Sequence, residues 1–111
     1  MAVTEAQLQD AILETAALLG WLCYHARPAR TGAGWRTAAQ GNGAAGFPDV
    51  VMARGGRLIF AELKSGRGKL SPDQLEWQEQ IEPIACVNPG VDYFVWTPAD
   101  WTAGVVEETL R

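Results

Sequence analysis

The chain has little of what the commoner catalytic centres are built from. Histidine occurs once, at His25, and the two cysteines, Cys23 and Cys86, are far apart and outside any metal-ligand spacing. A structural zinc site is therefore not expected, and the thiols read as buried and reduced, which suits a cytosolic setting. The sequence holds no Ser-His-Asp arrangement to defend and no phosphate-binding glycine loop ahead of a helix. No apolar run approaches the roughly 20 residues of a membrane span, and the first residues lack the basic-then-apolar form of a secretory signal. No membrane partner is expected. With 111 residues, 48% of them hydrophobic, and no internal repeat, the composition fits one globular domain over 1–111.

Acids are also nearly missing from the middle of the chain. Between Arg27 and Lys69 stand eight basic residues and only two acids, Asp49 and Glu62, so this segment carries +6 against −10 for the remainder. The overall charge of −4 argues against nucleic acid, but a basic centre in an acidic protein can still grip phosphates locally. Solvated loop arginines are the plain alternative.

The two acids flank a hairpin signal. Apolar runs Val50–Ala53 and Leu58–Ala61 surround Gly55-Gly56, a dipeptide suited to the positive φ of a two-residue turn. If those glycines are the whole loop, Arg54 pairs with Arg57 and Asp49 lies opposite Glu62. Facing residues hold their β-carbons about 4.5–5.5 Å apart, so two carboxylates placed there repel unless a divalent cation lies between them. Lys64 points to the same face as Glu62, because side chains alternate along a strand. The hairpin is apolar on both faces, which predicts a central position buried on both sides. A slip of one residue would send Asp49 to the other face. The structural alternative makes Asp49 a turn residue after Pro48 and Glu62–Lys64 an exposed pair.

The remaining elements follow in order. A capping box, Thr4 with Gln7, opens a helix whose apolar stripe is Leu8, Ile12, Ala16 and Leu19 and whose stop is Gly20. Glu5 lies on that stripe, either as a first-turn acid favoured by the helix dipole or as a member of the site. Trp21–Arg27 reads as a strand, with His25 more simply packed or hydrogen-bonded than a ligand. Pro28–Phe47 reads as a long loop whose Arg30, Trp35 and Arg36 suit phosphate contact and base stacking, with a flexible linker as the alternative.

Ser65-Gly66-Arg67-Gly68-Lys69 reads as a basic turn, and Ser71-Pro72-Asp73-Gln74 as a helix start. Gln74 shares a face with Trp77 and Ile81, so it either closes a capping box or points inward. Glu82–Gly90 reads as a linker, Val91–Trp96 as a strand and Pro98–Leu110 as a closing helix. Helix, strand, hairpin, helix, strand, helix predicts an α/β fold: a small mixed sheet with a central β-hairpin flanked by helices.

At Pro48-Asp49, Glu62-Leu63-Lys64 and Ser71-Pro72-Asp73-Gln74 the chain resembles the PD-(D/E)xK nucleases, and more closely their VRR-NUC branch. That branch's pattern is an N-terminal helix glutamate, G-x-PD, an E-x-K strand and a helix opening on S-p-x-Q with a following aromatic. The match runs from Glu5 to Trp96. The resemblance implies a restriction-endonuclease-like core and divalent-metal-dependent cleavage of DNA, with Mg2+ or Mn2+ as cofactor. It implies Asp49 and Glu62 as metal ligands, Lys64 as the catalytic lysine and Gln74 as its companion. Glu5 matches by its place in the first helix.

Arg27, Arg30, Arg36, Arg67 and Lys69 are the candidate DNA contacts. Stand-alone phage members resemble dimeric junction-resolving nucleases. This implies branched or structured DNA such as a Holliday junction as partner, a homodimer, and the cytosol of a bacterial host. Trp96 and Trp101 are candidates for the dimer contact. The linker Glu82–Gly90 departs from the family's short glycine turn. A non-cleaving DNA-binding module, or an interaction subunit of a larger replication or repair assembly, are the alternatives.

Overall fold

The computed structural model describes residues 3–26, 29–31, 34–36, 40–66 and 68–111. Helix α1 (Glu5–Leu18) is followed by strand β1 (Leu22–His25), and short strands β2 (Ala29–Thr31) and β3 (Gly34–Arg36) come next. The hairpin β4 (Val50–Arg54) and β5 (Arg57–Leu63) leads to helix α2 (Pro72–Val87), strand β6 (Val91–Trp96) and helices α3 (Pro98–Thr102) and α4 (Val105–Leu110). The main sheet runs β1-β4-β5-β6. Its first two pairings are antiparallel and β5/β6 is parallel, with α2 as the crossover that a parallel pair requires. This is a small α/β domain with a mixed sheet, and the hairpin supplies its two central strands.

The hairpin register is the expected one. Arg54 pairs with Arg57 and Val50 with Ala61, and both turn glycines have positive φ, 54° and 83°. Val50, Met52, Ile59, Ala61 and Leu63 share one face and are fully buried against Leu8, Ile12 and Ala16 of α1 and Val106 and Leu110 of α4. The opposite face is covered only in part. There α2 packs along β6, while Leu22 and Tyr24 of β1 remain 79% and 58% exposed and Ala53 is exposed. Burial on both faces is thus corrected: one face forms the core, and among the described residues the other is covered by α2 along β6 and by Phe47 over Phe60, and is open over β1.

The hairpin tip is anchored by cations. Arg54 donates from Nη1 to the Leu19 carbonyl and from Nη2 to that of Arg111, both at 2.8 Å, and Arg57 donates to Thr109 at 3.1 Å. Both guanidinium groups lie over the Trp21 ring, at 4.6 and 5.3 Å from its centroid, and the Trp21 indole donates to the Leu110 carbonyl. Cations at helix C-termini complement the helix dipole. These two arginines of the basic middle segment therefore serve the fold.

Four further expectations are corrected. The segment read as one loop contains the paired strands β2 and β3, with Arg30 opposite Trp35 and Ala29 opposite Arg36. Helix α2 continues through Pro83 to Val87, so the turn before β6 shrinks to Asn88–Gly90. Pro83 removes one helical hydrogen bond, but it and Glu79, whose carbonyl is freed, are both exposed and open to water. The closing helix breaks into two at Gly104, whose φ is 79°. Cys86 is exposed and Cys23 half-buried, and burial pushes the Cys23 thiol pKa up.

Candidate active site

Pro48 ends the irregular approach to β4 and delivers Asp49 one residue before the ladder begins. Continued by one step, the register sets Asp49 against Glu62, and Asp49 does extend the pairing through its side chain. Its Oδ2 accepts from the Leu63 backbone N–H at 2.8 Å. Glu62, at 1% exposure, is the one buried charged-type residue among those described. Burial raises its carboxyl pKa first, and the Asp49 carboxylate beside it, which can accept a hydrogen bond from the protonated acid, raises it further. The ammonium of Lys64 works in the opposite direction, Glu5 adds to the rise, and the net result is a pKa of about 9. At neutral pH in the metal-free protein the Glu62 carboxyl therefore keeps its proton.

Helix α2 supplies the third side. Gln74 accepts from the Ser71 N–H at 2.8 Å through Oε1, and the Ser71 hydroxyl accepts from the Gln74 N–H at 3.3 Å, which is a complete capping box. Its Nε2 donates to Glu62 Oε1 at 3.0 Å. The two readings of Gln74, cap or inward residue, are both realised because the amide has two ends. Trp77, one turn on, donates to the Gly43 carbonyl at 2.8 Å and stacks edge-on against Phe47 at 4.9 Å. Gly46 touches the start of the same helix: a Cβ there would lie 2.5 Å from the Asp73 carbonyl carbon, and its φ is 79°. That close approach is the physical requirement behind the glycine three residues before Asp49.

Glu5 closes the site from α1. Its Oε2 accepts from both the backbone N–H and the hydroxyl of Ser65 at 3.3 Å, which ties the first helical turn to the chain just after Lys64. Asp49, Glu62, Lys64, Gln74 and Glu5 thus converge at one end of the central hairpin. Among the described residues, no three His, Cys, Asp or Glu side chains group closely enough to hold a metal by themselves. A pair of carboxylates nonetheless fits magnesium or manganese, hard ions that take one or two carboxylates and keep several waters.

The candidate DNA contacts are less gathered. Lys69 is exposed between Lys64 and α2. Arg30 and Arg36 lie in β2 and β3, and Arg27 and Arg67 fall outside the described residues. His25, read as packed or hydrogen-bonded, is hydrogen-bonded and sits beside the site: its Nδ1 lies 3.1 Å from the Asp49 carbonyl oxygen. Its place in β1 opposite Val50 was the only signal available, and that pairing is long-range. Tyr93 was not singled out either; its hydroxyl is buried without a partner among the described residues, and burial, then the charge of Glu62, pushes its pKa up to about 12.

Trp96, one of the two residues expected at a dimer contact, is buried in the core, and Trp101, the other, is half-buried and packs against that core. No helix among the described residues is long and apolar enough to cross a membrane. No protein-family model and no curated protein matches this chain.

Proposed function

We propose that this chain is a divalent-metal-dependent DNA endonuclease with a restriction-endonuclease-like core, of the VRR-NUC branch of the PD-(D/E)xK nucleases. Its substrate in this reading is branched or structured DNA, such as a Holliday junction, in replication, recombination or repair. The observation that carries the proposal is the convergence of Asp49 and Glu62 at the end of the central hairpin, with the Glu62 carboxyl drawn well above its ordinary range. Two acids brought together in a buried position are costly to the fold, and a bound cation removes that cost.

Asp49 and Glu62 would hold Mg2+ or Mn2+, which when bound supplies Lewis acidity toward the phosphoryl oxygens and a more acidic water. The protein's residues do the rest. The Leu63 N–H fixes the Asp49 carboxylate, and the Gln74 amide fixes Glu62. Lys64, adjoining Glu62, brings a cation that can stabilise negative charge developing at phosphorus or orient the attacking water. Glu5 and Ser65 hold the turn that carries Lys64. Two such sites related by a two-fold axis suit paired cuts on opposed strands, so a homodimer belongs to this proposal.

Incubation with four-way junctions, flaps, single strands and duplexes, with and without Mg2+ or Mn2+, tests it. Cleavage should need the metal and vanish in Asp49→Asn and Glu62→Gln while DNA binding persists. Wild-type rates in either variant would remove the assignment, and binding without any turnover would favour a non-cleaving subunit. Sedimentation at micromolar concentration decides the dimer.

A further inference from the structure

A cleft of about 420 Å³ adjoins the acid pair, and its walls include Gln9 of α1, His25 of β1, Gly46, Phe47, Asp49 and Gln74. That volume falls in the range of small-ligand sites, about 300–1,000 Å³, and is far too small for a duplex. The nuclease reading uses Asp49 and Gln74 and gives the other walls no role.

Their chemistry is specific. A carbonyl oxygen only accepts, so His25 Nδ1 carries the hydrogen of its contact with Asp49, which leaves Nε2 as the ring nitrogen open to a ligand. Nε2 has no hydrogen bond of its own among the described residues. Gln9 offers an amide with both donor and acceptor. Phe47 is held on edge by Trp77 and Phe60 and is still 38% exposed. The charged group in the wall is a carboxylate, which disfavours a phosphate there. Hydrogen-bonding side chains beside an exposed ring suit a flat, neutral heterocycle instead.

We propose that this cleft binds the base of an unpaired nucleotide in the strand being cut, with His25 and Gln9 contacting the base edge. This rests on the nuclease reading, because the same nucleotide would then present its phosphate to Asp49 and Glu62. It also gives a preference for branched DNA a local cause: a flap offers bases that are already unpaired, and stacking broken at a branch point lowers the cost of drawing one out.

The single histidine makes the test direct, since His25 gives the one set of imidazole C–H signals in a proton NMR spectrum. Metal-free protein is titrated with thymidine 5′-monophosphate, a short oligothymidylate and deoxyribose 5-phosphate. The His25 signals should shift saturably with the first two and stay in place with the third. Gln9→Ala, a change of a half-buried α1 residue to the best helix former, should weaken the thymidylate response about tenfold with little change in melting temperature.

Signals unmoved by thymidylate, or moved equally by the sugar phosphate, overturn the base site. An unchanged response in Gln9→Ala removes Gln9 from it. The titration needs no turnover. A base-dependent shift in a protein that never cleaves DNA would keep the cleft and end the nuclease reading, and metal-dependent cleavage with silent His25 signals would do the reverse.

Discussion

Gln74 holds Glu62 by its amide nitrogen, at 3.0 Å, while its amide oxygen caps the helix that carries it. One side chain therefore couples the start of α2 to the buried acid. Gln74→Ala should lose both functions, costing about 1 kcal/mol for the cap and about 1–3 kcal/mol for the donor withdrawn from Glu62. Gln74→Glu separates them. Glutamate at the third helical position keeps the capping box but sets a carboxylate against Glu62. Its helix content by circular dichroism should match the wild type while cleavage is lost.

The acid pair sets a pH dependence in the metal-free protein. Glu62 titrates near 4.5 in the unfolded chain and at about 9 in the folded one. Between those values the native state binds more protons than the unfolded state, so stability falls as pH rises through that window and levels off above it. Melting temperatures in chelator should decline from about pH 5 to pH 9, and Glu62→Gln should flatten the decline and exceed the wild type at the alkaline end. Added Mg2+ should restore wild-type stability most strongly at high pH, because binding must displace a proton.

Lys64→Met keeps the aliphatic stem and removes the charge. The rate should fall by about two to three orders of magnitude, the scale of losing one transition-state electrostatic contact, with little change in melting temperature or metal affinity by calorimetry. Loss of metal binding in place of rate would make Lys64 a structural residue.

Gly46→Ala combines a side chain at φ 79° with a Cβ inside contact distance of the Asp73 backbone. The expected cost is about 2–4 kcal/mol, read by denaturant titration. Cleavage should fall further than stability, because the same loop positions Asp49.

Arg30→Ala combined with Arg36→Ala should weaken DNA binding irrespective of sequence and lower the slope of log affinity against log salt by about two. An unchanged slope would return β2 and β3 to a purely structural role.

The site was largely legible because its geometry is local. A two-residue turn fixes the register, the register fixes Asp49 against Glu62, and alternation fixes Lys64. The inward face of α2 followed from the spacing of Gln74, Trp77 and Ile81. What escaped depended on partners distant in sequence or on solvent. β2 and β3 are three residues each in glycine- and arginine-rich surroundings that carry no strand period. Pro83 signals a helix end unless its exposure is known. The half-open face of Val51, Ala53 and Leu58 looked buried because apolar residues alone do not say whether a helix covers them. His25 became visible as a site neighbour only once β1 was laid beside β4.

The clamp of Arg54, Arg57 and Trp21 lies at the opposite end of the hairpin from the acids, and this orders the assembly of the molecule. A two-residue loop closes faster and at lower entropic cost than any long-range contact, so the strands zip from the tip toward Asp49 and Glu62. The acids come together at the last step, and only the docking of α2 brings Gln74 to them. Amide hydrogen exchange should therefore be slow in the paired strands around Met52 and Ile59 and faster at Ser71–Gln74, where a local opening undoes the site without unfolding the core.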